Sequence, residues 1–340
     1  CSVGKRGGQM GRYSAQALLG FESVSPAEYE ELLDDATEEL NQEEGEHEEL
    51  AQLLRSNDYR LVQDISRMLR YEESAALRCA LTRLLAAMAK TDGVPLLQAL
   101  VDESCGCAGW LFAPLLPEAR EHLDEAVALH LDFLTMIAVH CSPLPKSIGA
   151  ALLEQGALEG LVRAVLYYQE HDDSADITTA GLQALCALHA QEECRDRIVE
   201  IITEKETSVI GISVAGLLNR AQGLHMANCL DLLEHLFSNS RTANFFFIND
   251  LKVVIDICIR LILDLQPGDS LRYMVLLVLF QLLMNCTDYM GLLYKNKEIL
   301  STLESLLGAE TLDRESKDAS AKILDKCGTI LRMTEADLED

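Results

Sequence analysis

Lys252, Asp256, Arg260 and Asp264 stand four residues apart in the run INDLKVVIDICIRLILDL, where most of the other positions are apolar. On a helix that spacing stacks four ionisable side chains along one face. Two readings fit such a row. It is the solvent-facing edge of an otherwise buried helix, with Asp256 ahead of Arg260 in the favourable order and contributing about 0.2–0.5 kcal/mol. Alternatively it borders a docking surface, where charges set association rate and salt dependence.

Other residue patterns that could do chemistry are weaker. Gly211-Ile212-Ser213-Val214-Ala215-Gly216 misses the nucleophile-elbow spacing by one residue and sits inside a helical pattern. SVGKRGG near the start lacks the leading glycine of a phosphate loop and has no strand before it. Cys105 and Cys107 could offer two thiolates, but no second Cys/His pair stands near them and structural zinc takes four ligands. His130, His140, His189 and His235 fall near apolar helical faces and read as hydrogen-bonded packing residues. The PxxP at Pro114 to Pro117 is better explained by Pro117 opening a helix over 117–141. The expectation is a non-enzyme without catalytic residue, cofactor or metal.

The elements that would position the charged row follow from composition. Hydrophobic residues make up 49% of the 340 and charged ones 24%, as in an ordinary globular chain. Helix formers dominate, with 7 prolines and 20 glycines, so the chain reads as all-α. The net charge of −27 is uneven: residues 21–49 hold acids and no Lys or Arg, while Arg55, Arg60, Arg67, Arg70, Arg78, Arg83 and Lys90 form a basic island. A chain this acidic is repelled by phosphates and anionic lipid, so neither nucleic acid nor membrane insertion is expected. The apolar run Tyr273 to Met284 is too short for a bilayer. The 11 cysteines are scattered, several in apolar helical runs, and read as reduced thiols of a cytoplasmic protein. The chain begins at Cys1 without a methionine and reads as a fragment of a longer one.

Apolar triplets recur at Leu81/Leu84/Ala87, Leu131/Leu134/Ile137, Leu182/Leu185/Leu188, Leu230/Leu233/Leu236 and Leu276/Leu279/Leu282, in steps of 50, 51, 48 and 46 residues. Blocks of that length resemble armadillo or HEAT units, which must stack to bury their apolar faces. The expected architecture is an all-α armadillo/HEAT-like superhelix over 25–334. A flexible lead (1–24), an acidic helix (25–49, opened by Ser25, Pro26 and Glu28) and an acidic tail (335–340) complete it. Phe245-Phe246-Phe247 is expected to plug a junction between repeats.

The run from Phe245 to Tyr289 resembles the leucine-rich domain of the WISH/Dip family, activators of the actin-nucleating Arp2/3 complex. The residues that carry the likeness are Asn249-Asp250-Leu251, Ile255-Asp256-Ile257, Arg260, Asp264-Leu265, Pro267-Gly268-Asp269 and Leu271-Arg272. Tyr289 and Tyr294-Lys295-Asn296-Lys297-Glu298-Ile299 fit the pattern of the shorter fungal members. The detailed likeness spans about 229–308. Animal members carry an SH3 domain, and these 340 residues contain neither that nor a proline-rich linker.

The resemblance implies a non-enzymatic regulator that binds the Arp2/3 complex and activates it without a preformed filament, seeding linear actin filaments. It implies a cytoplasmic protein at the actin cytoskeleton of the cell cortex, in contact with actin only indirectly. We expect a monomer. Lys252, Asp256, Arg260, Asp264, Arg272, Lys295 and Lys297 are the expected partner-binding residues. The other reading is a general armadillo-repeat adaptor for a peptide or helix. A peptide groove wants regularly spaced Asn or Trp, and a single Trp110 argues against it.

Overall fold

A computed structural model describes residues 33, 37, 52, 55, 59–71, 75–102, 107–112, 124–141, 143–154, 156–171, 176–204, 208–244, 246–266 and 268–333. The expectations for the lead, for most of the acidic helix, for Cys105, Pro114 to Pro117, Phe245 and Pro267, and for the tail lie outside them. Among the described residues every regular element is helical and no strand occurs. The described residues form an all-α fold in which helices stack in recurring rows. The sequence reading placed 25–334 in one domain; contacts group the chain into two compact units, Cys1–Ala164 and Val165–Asp340.

The first unit holds α1 (Arg60–Tyr71), α2 (Ala75–Asp92), α3 (Val94–Val101), α4 (Ala108–Leu111), α5 (Asp124–His140) and α6 (Lys146–Glu154). Its core forms where α2 packs on α5, with Leu81, Leu84, Leu131, Leu134 and Ile137 all buried. Trp110 is a core residue here: its indole donates to Ser66 Oγ at 2.8 Å, and its ring meets His130 and Phe133 edge-on. Gly93 turns the chain between α2 and α3 at φ 58°, a conformation that costs glycine little. Part of the basic island is already spent on structure, since Arg55 and Tyr59 both donate to the buried carboxylate of Asp92. Burial, followed by that bond, pushes the Tyr59 phenol up to about 12.

The division falls within α7 (Ala157–His171). The second unit continues with α8 (Asp176–His189), α9 (Glu192–Glu204), α10 (Ser208–Leu218), α11 (Gly223–Ser238) and α12 (Ser240–Ala243). It ends with α13 (Ile248–Asp264), α14 (Ser270–Asn285), α15 (Thr287–Leu292), α16 (Asn296–Gly308) and α17 (Arg314–Arg332). Helix α8 packs on α11, α11 on α14 and α14 on α17, while α10, α13 and α16 form a second row. The triplet leucines of α8, α11 and α14 line the first row and are at most 2% exposed. Asp269 caps α14 by accepting from Leu271 N at 3.0 Å, and Asp313 caps α17 through Ser316 N at 2.7 Å.

Two sequence expectations change. Phe246 is buried and stacks on Phe237 with ring centres 4.8 Å apart, but Phe247, at the N-terminal cap of α13, is 63% exposed. Of the four histidines read as packing residues, His140 ends α5 on an exposed position, while His130 and His189 are buried. The described cysteines are buried thiols outside any disulfide, in keeping with their apolar neighbours.

Candidate functional site

Helix α13 forms because Val, Ile and Leu fill the positions that turn inward at helical spacing. Leu251, Val254, Ile255, Cys258 and Ile262 are at most 1% exposed. Ile255 and Ile257 are core, as expected of those two motif residues. The charged row does reach the surface, but not as one face. A helix advances about 100° per residue, so each step of four overshoots a turn by about 40° and three steps swing the row by about 120°. Lys252 and Asp256 turn toward the α15–α16 connection, whereas Arg260 and Asp264 are exposed beside Val253 and Leu263.

That connection is built to meet Asp256. Lys295 Nζ lies 3.1 Å from Asp256 Oδ1 and 3.2 Å from Glu298 Oε2. The Tyr294 hydroxyl donates to Asp256 Oδ2 at 3.3 Å. Lys252 and Lys295 lie 5.7 and 5.9 Å from the centre of the Tyr294 ring, within cation–π reach. Hydrogen bonds to Asp256 and Glu298 raise the Lys295 ammonium above its usual value, and desolvation followed by Asp256 raises the Tyr294 phenol.

Leu293 and Lys295 both take left-handed backbone conformations, at φ 46° and 54°, without being glycine. Such residues carry strain that neighbouring structure must hold. The buried pair Tyr289 and Asn296 does so: the Tyr289 hydroxyl donates to Asn296 Oδ1, and Asn296 Nδ2 donates to Ile330 O at 2.8 Å. This anchors the turn to α17. Lys297 is exposed one residue further on.

Arg272 belongs elsewhere. It is 4% exposed, and its guanidinium donates to Ile262 O at 3.1 Å and to Leu265 O. Those carbonyls end α13, where the helix dipole favours a cation and where Asp264 supplies the wrong sign. Arg272 is therefore a buried cap of α13, removed from any docking face.

Sequence reading missed one polar cluster. His189 is fully buried at the end of α8, with Nδ1 3.0 Å from Asp231 Oδ2 and Nε2 3.0 Å from His235 Nδ1. Asp231 and His235 come from α11 and lie more than 40 positions away, so no local spacing could have announced them. Among the described residues no group of three or more His, Cys, Asp or Glu could hold a metal ion. Ser213 lies within α10, flanked by helix on both sides. No helix among the described residues is long and apolar enough to cross a membrane.

Residues 161–299 match the family model described as SPIN90/Ldb17, leucine-rich domain, the family that the motif around α13 resembles. Among solved structures, an engineered protein is 16% identical with a TM-score of 0.44, covering 79% of this chain and 97% of that one. A designed armadillo repeat protein in complex with the peptide (KR)4 is 15% identical with a TM-score of 0.44, covering 78% of this chain and 98% of that one.

Proposed function

We propose that this chain, whose residues 161–299 match the SPIN90/Ldb17 leucine-rich domain, binds the Arp2/3 complex and shifts it toward its active arrangement. No preformed filament is needed, and the product is a linear seed filament. An activator of this kind works by binding the active arrangement more tightly than the inactive one. A packed helical array suits the task because its surface keeps one shape while the partner changes. The protein acts in the cytoplasm at the cortical actin cytoskeleton, as a monomer, meeting actin through its partner.

The observation that carries the reading is the family match itself, whose span contains the whole α13 row and the Tyr294 to Lys297 turn. The proposed docking surface draws on both halves of the row, Lys252 and Asp256 with Lys295 and Lys297 at the α16 side and Arg260 and Asp264 on the outward side, and leaves Arg272 out. Half-buried Lys252 and exposed Arg260 and Lys297 offer cations on a chain whose net charge is −27, and Val253 and Leu263 of α13 are exposed apolar residues. Such a face offers cations to an acidic partner surface and apolar contact between them.

The test is pyrene-actin polymerisation with purified Arp2/3 complex, without filaments or another activator. The expected result is a shortened lag in proportion to the added chain, with unbranched products by single-filament microscopy. An unchanged lag, with no binding to the complex in a pull-down, overturns the proposal. Binding without a shortened lag would leave an adaptor and remove the activator.

A further inference from the structure

Two imidazoles meet at the junction of α8 and α11. His189 Nδ1 faces Asp231, and its Nε2 faces His235 Nδ1, each at 3.0 Å. The outer nitrogen of His235 lies 4.0 Å from Asp196 Oδ1 on α9. Arg195, also on α9, stands 3.7 Å from Asp231 and donates to the His189 carbonyl at 3.4 Å. Glu234 neighbours His235 on α11 and accepts from Gln281 of α14 at 2.8 Å. Cys186 and Cys229, with sulfurs 3.8 Å apart, join the same two helices. These groups are the charged and titratable surroundings of the ring pair.

The hydrogen-bond pattern restricts how many protons the pair can carry. Asp231 takes the Nδ1 proton of His189. The gap between His189 Nε2 and His235 Nδ1 then holds one hydrogen, donated from either side. With both rings neutral, His235 donates and His189 accepts. One added proton settles on the outer nitrogen of His235, toward Asp196, and every bond survives. A second added proton puts two N–H groups head to head across 3.0 Å. Two free imidazoles would take both.

We propose that His189 and His235 form a single-proton unit that ties α8 to α11 near neutral pH and gives up that contact when acid forces the second proton onto it. The unit lies in the family-matched segment but does not depend on the docking proposal. Burial, then His189 and Arg195, lower the His235 imidazole below its usual value, with Asp196 and Glu234 opposing. The sign follows: the unfolded chain binds more protons than the folded one below the ordinary imidazole value. Stability from the pair is full above that value and is lost as pH falls. One proton of difference makes the unfolding constant rise about tenfold per pH unit.

The experiment uses the full chain labelled with 15N-histidine, titrated from pH 8 to 5 by NMR, beside urea unfolding at each pH. Wild type is compared with His235→Asn and His189→Asn. An asparagine amide sits near the position of Nδ1 and can turn to donate or to accept, so it relieves the head-to-head conflict. In folded wild type the two rings together should gain one proton. Its unfolding constant should steepen by about tenfold per pH unit relative to His235→Asn as the pH falls below about 6. Two fully charged rings in the folded protein would overturn the proposal, as would parallel stability curves for wild type and His235→Asn. Should either variant fail to fold, the ring titration of wild type decides alone.

Discussion

Lys295 stands in a left-handed backbone conformation at the start of α16 and brings its ammonium to 3.1 Å from Asp256 on α13. The contact joins two helices of the second row through a turn whose Tyr294 phenol also reaches Asp256. Strain at the turn and the ion pair meet at one residue, since Lys295 holds the left-handed backbone and also bears the ammonium. Asp256→Asn should therefore quicken amide hydrogen exchange over 293–297 while leaving exchange in α14 unchanged. A double-mutant cycle of Asp256→Asn with Tyr294→Phe should give a coupling below about 1 kcal/mol, the range of a half-exposed hydrogen bond.

Arg260 is exposed, whereas Lys252 and Asp256 turn toward the α15–α16 connection. Arg260→Glu should keep stability within about 0.5 kcal/mol of wild type, as surface substitutions do. On the docking proposal it weakens binding to the Arp2/3 complex, more strongly at low salt than at high salt. Affinity at two salt concentrations beside a melting curve checks both halves. Lys297→Glu should behave alike.

Arg272 behaves in the opposite way. Its removal leaves the Ile262 and Leu265 carbonyls without their cation and opens a space in the core. Arg272→Met should cost about 3 kcal/mol in urea unfolding, and any loss of binding should follow the loss of fold.

Two glycines of α10 make a matched pair. A Cβ on Gly211 would stand 2.7 Å from two ring carbons of Phe246, which is pinned by its stack on Phe237. A Cβ on Gly216 would meet nothing within 4 Å. Gly211→Ala should destabilise by about 1–3 kcal/mol through overpacking. Gly216→Ala should stabilise by about 0.4–1 kcal/mol, since alanine has less backbone freedom to lose on folding. Thermal melts of the two variants, read side by side, separate packing from propensity.

Burial works against the Asp231 carboxylate, yet the hydrogen bond from His189 and nearby positive charge, that of Arg195 included, hold it below the ordinary value of 3.8. Its contribution is present above that value and fades as pH falls through the lower, folded one. The stability gap between wild type and Asp231→Asn should be open at pH 5 and narrow by pH 3. Equal gaps at both pH values would contradict this.

The layers of the fold were legible because burial obeys period. The five triplets stood out at nearly constant steps, and all fifteen of their residues are buried. The family likeness singles out the α13 run and the Tyr294 to Ile299 stretch, without showing that a turn lies there. Arg272 is expected at the docking surface because it belongs to the family-like motif; what buries it is the end of the preceding helix, which sequence spacing does not reveal. The turn at Leu293 and Lys295 carried no glycine to advertise its left-handed backbone. The charged row was seen, but its division into an engaged half and an outward half depended on the partners that α16 supplies. Phe247 was read with its neighbours as one plug, although adjacent residues on a chain entering a helix face different ways.

Cross-repeat contacts recur at separations close to one repeat: 43 positions for Cys186 and Cys229, 46 for His189 and His235, 47 for Gln281 and Glu234, and 48 for Asn285 and Phe237. Because each of these contacts closes a loop of one repeat, its entropic cost does not grow as further repeats are added. Any adjacent pair of core helices in the second unit can therefore start folding, and the rest can join in either direction. Helix α17 forms the far end of that row and packs on α14 from one side. Pulled from its C-terminus, this unit should yield in steps, repeat by repeat, as a zip opens.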